Sequence, residues 1–248
     1  MDMKVKKHFL EQWEKYFGKA ELPITFFYST NLSNSPLAEP PKGRSCLICE
    51  LAAVRKGKSL AYNKGVLRCG GARRYLGYEP GMRPNFEYFL SCGIPGEMEG
   101  ERYIQTPEMV REIMKNVYTL PADGKYTIFK RWDKLEEDDE PEAVIFFANP
   151  DVLSGLFTLA NFDQVEGRGV IAPFGSGCSS IIYQAFLENR KDSPKAILGM
   201  FDPSARPCVP GNTLSFSIPM RKFVKMMSFM DESFLITETW KTVRKRFE

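Results

Sequence analysis

The residues best suited to chemistry in this sequence are cysteines that stand beside glycines. Cys69 is followed by Gly70 and Gly71, and Cys178 ends the Gly-Ser-Gly-Cys segment 175–178. A glycine turn that leads into a helix leaves unpaired backbone N–H groups, which lower the pKa of a nearby thiol or hold an anion. Cys69 and Cys178 are therefore the candidates for a nucleophilic or redox thiol, with a tight turn beside a buried cysteine as the alternative.

A second feature is the spacing of Cys46 and Cys49, which is typical of metal ligands. Residues three apart on a helix share one face, and thiolates suit zinc and iron–sulfur clusters. The candidate ligands for an iron–sulfur cluster or another thiolate-bound metal are Cys46, Cys49, Cys69 and Cys178. No second Cys-x-x-Cys pair is present, so a zinc ribbon is not indicated.

The only histidine, His8, lies in a lysine-rich N-terminal segment far along the chain from these cysteines. A single histidine excludes histidine-rich metal sites and disfavours a cysteine–histidine catalytic pair. Arginine side chains can instead hold a carboxylate or phosphate, and polar residues after a buried strand often contact ligands. The predicted ligand-binding set is Cys49, Cys69, Gly70, Gly71, Asn149, Gly175, Gly177, Cys178 and Arg206.

Composition limits the class of protein. The 248 residues carry a net charge of +3, which gives no case for nucleic acid as a partner. No apolar run approaches the roughly 20 residues that span a bilayer, and no signal peptide is evident. We therefore expect a cytoplasmic protein whose six cysteines are thiols; an exported protein with three disulfides is the alternative.

Strand and helix patterns alternate along the chain, which indicates an α/β or α+β fold with a mixed sheet and helices packed on it. Residues 143–148 are continuously apolar and predict a buried central strand, while the aromatic run 86–92 predicts another strand. The acidic segment 134–142 predicts a solvated surface loop. We expect one domain over 1–248, a compact unit whose lobes, if it has two, meet at 134–142.

Several segments together resemble a known family. The motifs are Cys49-Glu50-Leu51-Ala52-Ala53-Val54-Arg55-Lys56-Gly57, then Cys69-Gly70-Gly71-Ala72 with Leu76-Gly77, then Phe147-Ala148-Asn149-Pro150, and the closing stretch 199–219. On these residues the chain resembles domain-of-unknown-function family 169. It departs from the family at Cys69-Gly70, where relatives place a proline before the two glycines. The resemblance implies a fold and a site region, but no activity.

Three hypotheses of function follow from these residues. The first is a protein that binds a small ligand, an anion, or a metal ion or iron–sulfur cluster at a cysteine- and glycine-lined site. The second is a thiol-dependent enzyme with a redox or nucleophilic cysteine, and the third is an interaction module whose cysteines are purely structural. The sequence leaves the ligand, the reaction and the oligomeric state open.

Overall fold

The computed structural model describes residues 1–40, 42–43, 45–79, 81–118, 120, 122 and 124–247. Within these residues an open seven-stranded mixed sheet carries helices on both faces. This is the α/β class that the alternating patterns predict, in one compact unit.

The sheet is antiparallel except at one edge. In the order of the sheet its strands are β2 (Leu60–Tyr62), β3 (Tyr126–Arg131), β1 (Ile24–Ser29), β4 (Ala143–Ala148), β7 (Leu214–Pro219), β6 (Ala196–Gly199) and β5 (Val170–Ile171). Only β5 and β6 run parallel to each other. Strand β7 lies between β4 and β6, so the loop after β6 leads back to the strand next to the centre of the sheet.

The central strand β4 separates two hydrophobic cores. Successive side chains of a strand point to opposite faces, and all six residues of β4 are buried. Val144 and Phe146 belong to one cluster, whereas Ile145 and Phe147 belong to the other. The prediction of a buried central strand at 143–148 is confirmed.

Helices cover both clusters. They are α1 (Met3–Phe17), α2 (Leu47–Arg55), α3 (Gly70–Tyr75), α4 (Phe86–Leu90), α5 (Pro107–Lys115), α6 (Pro150–Asn161), a π-helical turn (Ser179–Tyr183) that continues into α7 (Gln184–Glu188), α8 (Met220–Ser228) and α9 (Glu238–Arg244). The aromatic cluster lies under α1, α6, α8 and α9. The other cluster lies under α2, α3, the π-helical turn and α7; it contains Cys178, and Cys46, Cys69 and Cys208 pack against it.

The predicted strand at 86–92 is wrong, because residues 86–90 form α4. Its side chains are only half-buried, so no sheet face selects an extended conformation. Phe86 and Phe89 contact each other at the three-residue spacing of a helix, and the guanidinium of Arg83 lies over Phe89. Aromatic composition favoured a strand here, but the spacing of the aromatic residues is helical.

The acidic segment 134–142 connects β3 with β4 and is not wholly solvated. Asp139 is fully buried and receives two hydrogen bonds from the ammonium group of Lys130, which is also buried. The expectation of a solvated loop is therefore wrong at this position, because β3 supplies a buried cation that the segment folds over.

None of the helices in the described part of the chain is both long enough and apolar enough to cross a membrane.

Candidate functional site

Three sulfur atoms meet where α2 begins. The sulfur atoms of Cys46, Cys49 and Cys208 all lie within 4.8 Å of one another. Cys49 is exposed, and the other two are half-buried. Cys49 and Cys208 are 159 residues apart in the chain and form a disulfide in this structure. We call Cys46, Cys49 and Cys208 the cysteine triad.

The expectation that all six cysteines are thiols is therefore wrong for Cys49 and Cys208. Sequence spacing brought Cys46 and Cys49 together but not Cys208, which lies in a loop with no neighbouring cysteine. The family-like stretch 199–219 contains Cys208 and was the one signal that pointed to it. Among the described residues, the group that meets the distance requirement for a metal site has Cys208 in place of Cys69 and Cys178.

The start of α2 and the loop after β6 position the triad. Cys46 occupies the N-cap position of α2, and Cys49 lies one turn into the helix. The guanidinium of Arg206 donates hydrogen bonds to the backbone oxygens of Thr213 and Gly211. Arg206 was predicted from the sequence as a ligand-binding residue, and in the structure its guanidinium stabilises the loop that carries Cys208.

Gly177 sets the distance between these two elements. A Cβ atom at Gly177 would lie 3.0 Å from both Ala205 and Ile48, and 3.3 Å from the sulfur of Met200. Ile48 belongs to α2, while Met200 and Ala205 belong to the loop after β6. Met200 is buried with a φ of 71°, a backbone conformation that non-glycine residues rarely adopt. The close approach of α2 to the loop after β6 therefore depends on a glycine at position 177, and the loop contains a strained backbone conformation at Met200.

A second pair of sulfurs, Cys69 and Cys178, lies beside the triad. Hydrogen bonding between these two side chains lowers the pKa of Cys69 and raises that of Cys178, and the charge of Cys46 raises the pKa of Cys178 further. The two glycine segments also face each other, since a Cβ atom at Gly71 would lie 4.0 Å from the hydroxyl of Ser176. The structure thus brings five of the six cysteines into one region of the molecule.

The environment of Cys69 favours its thiolate. Donation from Cys178 is the largest cause, and the backbone N–H groups of Leu47, Ala72 and Gly71 add to it, so the pKa of Cys69 falls to about 6. The N–H of Leu47 comes from the start of α2, and the other two come from the start of α3. The proton stays on Cys178, whose pKa is raised by its bond to Cys69 and by complete burial.

A carboxyl group lies close to the Cys69 sulfur. Burial raises the pKa of Glu50, and the negative charge of Cys69 raises it further. The hydroxyl of Ser45 donates a hydrogen bond to Glu50 at 3.3 Å, which acts in the opposite direction. Glu50 therefore holds its proton more readily than an exposed carboxyl group.

The turn at 175–178 already binds an anionic side chain of the protein itself. The N–H of Gly177 donates a hydrogen bond to the buried carboxylate of Asp202, 3.2 Å away. The other oxygen of Asp202 accepts hydrogen bonds from the backbone N–H and hydroxyl of Ser204. An external anion at this turn would have to displace Asp202.

The remaining candidates take other places. The side-chain oxygen of Asn149 accepts a hydrogen bond from the N–H of Val152 and caps α6, which packs on the aromatic cluster. Among the described residues, no hydrogen bond joins Asn149 to a cysteine. Gly70 is exposed, and a Cβ atom there would meet nothing within 4 Å. Cys92 is exposed, and its thiol donates to the carbonyl oxygen of Gly93.

Comparison with known proteins gives one match. The model of the DUF169 family, described as "Uncharacterised ArCR", matches residues 16–228, which include all the cysteines. Neither the curated proteins nor the solved structures contain a match to this chain.

Proposed function

The chain belongs to the DUF169 family, whose description assigns no activity, and we propose its function from the geometry of the cysteines. The protein binds one thiophilic metal ion through the cysteine triad, and zinc is the expected ion. The observation that carries the proposal is the convergence of Cys46, Cys49 and Cys208 within 4.8 Å. Thiolates are soft ligands that bind zinc strongly, and three of them leave one coordination position for another ligand.

The sulfur distances favour a single ion over a cluster. Thiolates bound to one tetrahedral zinc ion at about 2.3 Å lie roughly 3.8 Å apart. The triad can reach this spacing, because no two of its sulfurs lie more than 4.8 Å apart and those of Cys49 and Cys208 separate when the disulfide is reduced. In a [4Fe–4S] cluster each thiolate binds a different iron atom, so its sulfurs are spaced more widely, because the bridged iron atoms stand between them.

The proposed setting is the cytoplasm, where glutathione and thioredoxin keep thiols reduced and available to a metal. The remaining ligand would be a small or anionic molecule at the fourth coordination position. Nucleic acid has no part in the proposal, since the charge of the chain is nearly balanced.

Metal content tests the proposal directly. Protein purified without oxygen, or reduced and then offered zinc, should retain one zinc ion per chain by elemental analysis. Cys46→Ser, Cys49→Ser and Cys208→Ser should each lose the metal, whereas the matched control Cys92→Ser should keep it, because Cys92 is exposed and bonded only to Gly93. Iron in the purified protein, with broad absorbance in the violet, would indicate an iron–sulfur cluster instead of a single zinc ion. Metal-free protein that also fails to take up zinc would contradict the proposal.

A second candidate function is thiol catalysis at Cys69, and one specific observation favours it. The pKa of Cys69 is lowered to about 6 by Cys178 and three backbone N–H groups, so the thiolate predominates at neutral pH. The raised pKa of Glu50, to which the charge of Cys69 contributes, makes this carboxyl group the candidate proton donor. The mark of this function is a single cysteine that iodoacetamide modifies rapidly at neutral pH. Uniformly slow thiols, together with metal-free protein, would instead indicate an interaction module with structural cysteines.

A further inference from the structure

We infer that the metal site is controlled by oxidation: formation of the Cys49–Cys208 disulfide releases the ion, and reduction restores the site. This inference rests on the proposed function. The same two sulfurs form the disulfide and supply two of the three metal ligands. A sulfur in a disulfide has no thiolate charge to offer, so the disulfide and the bound ion exclude each other.

The position of Cys49 makes this exchange accessible. Cys49 is exposed, whereas Cys46 and Cys208 are half-buried, so a small disulfide or thiol from solution meets Cys49 first. Cys208 then lies within 4.8 Å, close enough to complete the reaction without a large movement of the chain. The loop that carries Cys208 is held by hydrogen bonds from Arg206, which do not depend on the disulfide and which we expect to keep the Cys208 sulfur beside α2 after reduction.

The oxidant is a low-molecular-weight disulfide such as oxidised glutathione. The Cys49 thiolate attacks one sulfur of this disulfide, forms a mixed disulfide and releases one small thiolate. The Cys208 thiolate then attacks the Cys49 sulfur and releases the second small thiolate. Two cysteine thiolates lose two electrons in total, the external disulfide gains them, and the metal ion leaves into solution. An external thiol that attacks the exposed Cys49 sulfur reverses the sequence.

Cys46 distinguishes the metal-bound state from the disulfide state. It belongs to the triad but not to the disulfide. In the oxidised protein Cys46 stays outside the disulfide, and one remaining ligand of three cannot retain the ion. Removal of Cys46 should therefore weaken metal binding and leave the disulfide intact, while removal of Cys49 should abolish both.

The experiment uses the whole chain, reduced without oxygen and loaded with zinc. Oxidised glutathione is added, released zinc is followed with a chromogenic chelator, and the cysteine linkage is mapped by mass spectrometry. We expect complete zinc release together with a Cys49–Cys208 linkage, and recovery of zinc binding after reduction. Cys92→Ser should behave as the natural sequence. Cys46→Ser should form the linkage without binding zinc tightly, and Cys49→Ser should do neither.

The outcomes separate the two proposals. Zinc that binds and then stays bound after oxidation, with no Cys49–Cys208 linkage, overturns the redox inference and leaves the proposed metal function intact. Release of zinc by a linkage between other cysteines also overturns the inference. Failure of the reduced protein to bind zinc overturns the proposed function itself, and the inference with it, even if the linkage forms.

Discussion

Cys69 differs from Cys92 in what surrounds its sulfur. The start of α2 contributes one N–H group, the start of α3 contributes two, and Cys178 contributes a thiol proton. The first N–H groups of a helix lack partners within the helix, so a single thiolate serves two helix starts at once.

The pH dependence of alkylation measures this environment. The pKa of Cys69 is about 6 instead of the ordinary 9.0, so its reaction with iodoacetamide should reach half of its maximal rate near pH 6. Below that pH the thiolate is protonated and the rate falls; between pH 6 and 9 Cys69 should react ahead of an unperturbed thiol. Peptide mapping by mass spectrometry identifies the modified cysteine.

Substitutions at Cys178 test the cause of the lowered pKa. Cys178→Ala removes the largest donor to Cys69 and should move the midpoint toward 9.0, while Cys178→Ser keeps a hydroxyl donor and should retain more of the shift. A midpoint that Cys178→Ala leaves near pH 6 would show that the backbone N–H groups alone lower the pKa.

At the scale of elements, the site depends on how closely α2 approaches the loop after β6. One element carries Cys46 and Cys49, and the other carries Cys208. The segment 175–178 lies between them, and Gly177 contacts both. A change in this spacing therefore alters the geometry of the cysteine triad without replacing any of its residues.

We predict that Gly177→Ala damages both stability and the triad. Its added methyl group would lie 3.0 Å from Ala205 and from Ile48, so the two elements must separate. Overpacking of this kind costs about 1–3 kcal/mol of unfolding free energy, or roughly 2–4 °C in Tm for each kcal/mol. Thermal unfolding and zinc uptake measure the two effects.

The matched control for this substitution is Gly70→Ala in the companion glycine segment. A methyl group there meets nothing within 4 Å, so Tm should change little and zinc uptake should persist. Equal behaviour of the two variants would mean that the approach at Gly177 does not position the triad.

At the scale of the whole molecule, the sheet separates a structural face from the face that carries the site. The aromatic cluster under α1, α6, α8 and α9 contains large rings in mutual contact, including Trp13 stacked on Phe17 at 4.2 Å. The opposite face carries Cys46, Cys69, Cys178 and Cys208 together with the glycine segments. Apolar side chains are buried on both faces of the sheet and stabilise the fold. One of these faces can therefore also hold polar and reactive groups.

A buried ion pair joins three distant segments at the β3 side of the sheet. The ammonium group of Lys130 donates to both carboxylate oxygens of Asp139, at 2.8 and 3.1 Å, and to Glu136 at 2.6 Å. The hydroxyl of Ser33 also bonds to Asp139. The loop after β1, strand β3 and the acidic segment are thereby held together by one lysine.

We predict that Lys130→Met is strongly destabilising. The methionine fills similar space but leaves the fully buried Asp139 without its cation, which costs about 3–5 kcal/mol for a broken buried pair. Chemical denaturation measures this loss. Lys134→Met is the control, because Lys134 is half-exposed and its ion pair with Asp133 is long, at 3.8 Å. The double variant Lys130→Met with Asp139→Leu should recover much of the loss, and a single variant no worse than the control would contradict the account.

The sequence by itself determined the fold class, most of the helices and strands, and the family. Local signals were sufficient for these features: the continuous apolar run of β4, the Thr106 and proline start of α5, and the apolar spacing of α1. The Cys-x-x-Cys spacing and the two glycine segments also marked the region of the candidate site. Each of these signals depends on residues close together in the chain, where spacing alone dictates geometry.

Only the tertiary structure decided which residues meet. It paired Cys49 with Cys208 across 159 residues, set the thiol of Cys178 against Cys69, and gave the segment 175–178 the carboxylate of Asp202. It also committed Arg206 and Asn149 to a loop and a helix cap, and buried Asp139 over Lys130. These outcomes depend on the order of the strands in the sheet, which returns distant loops to one place, and no local pattern encodes that order.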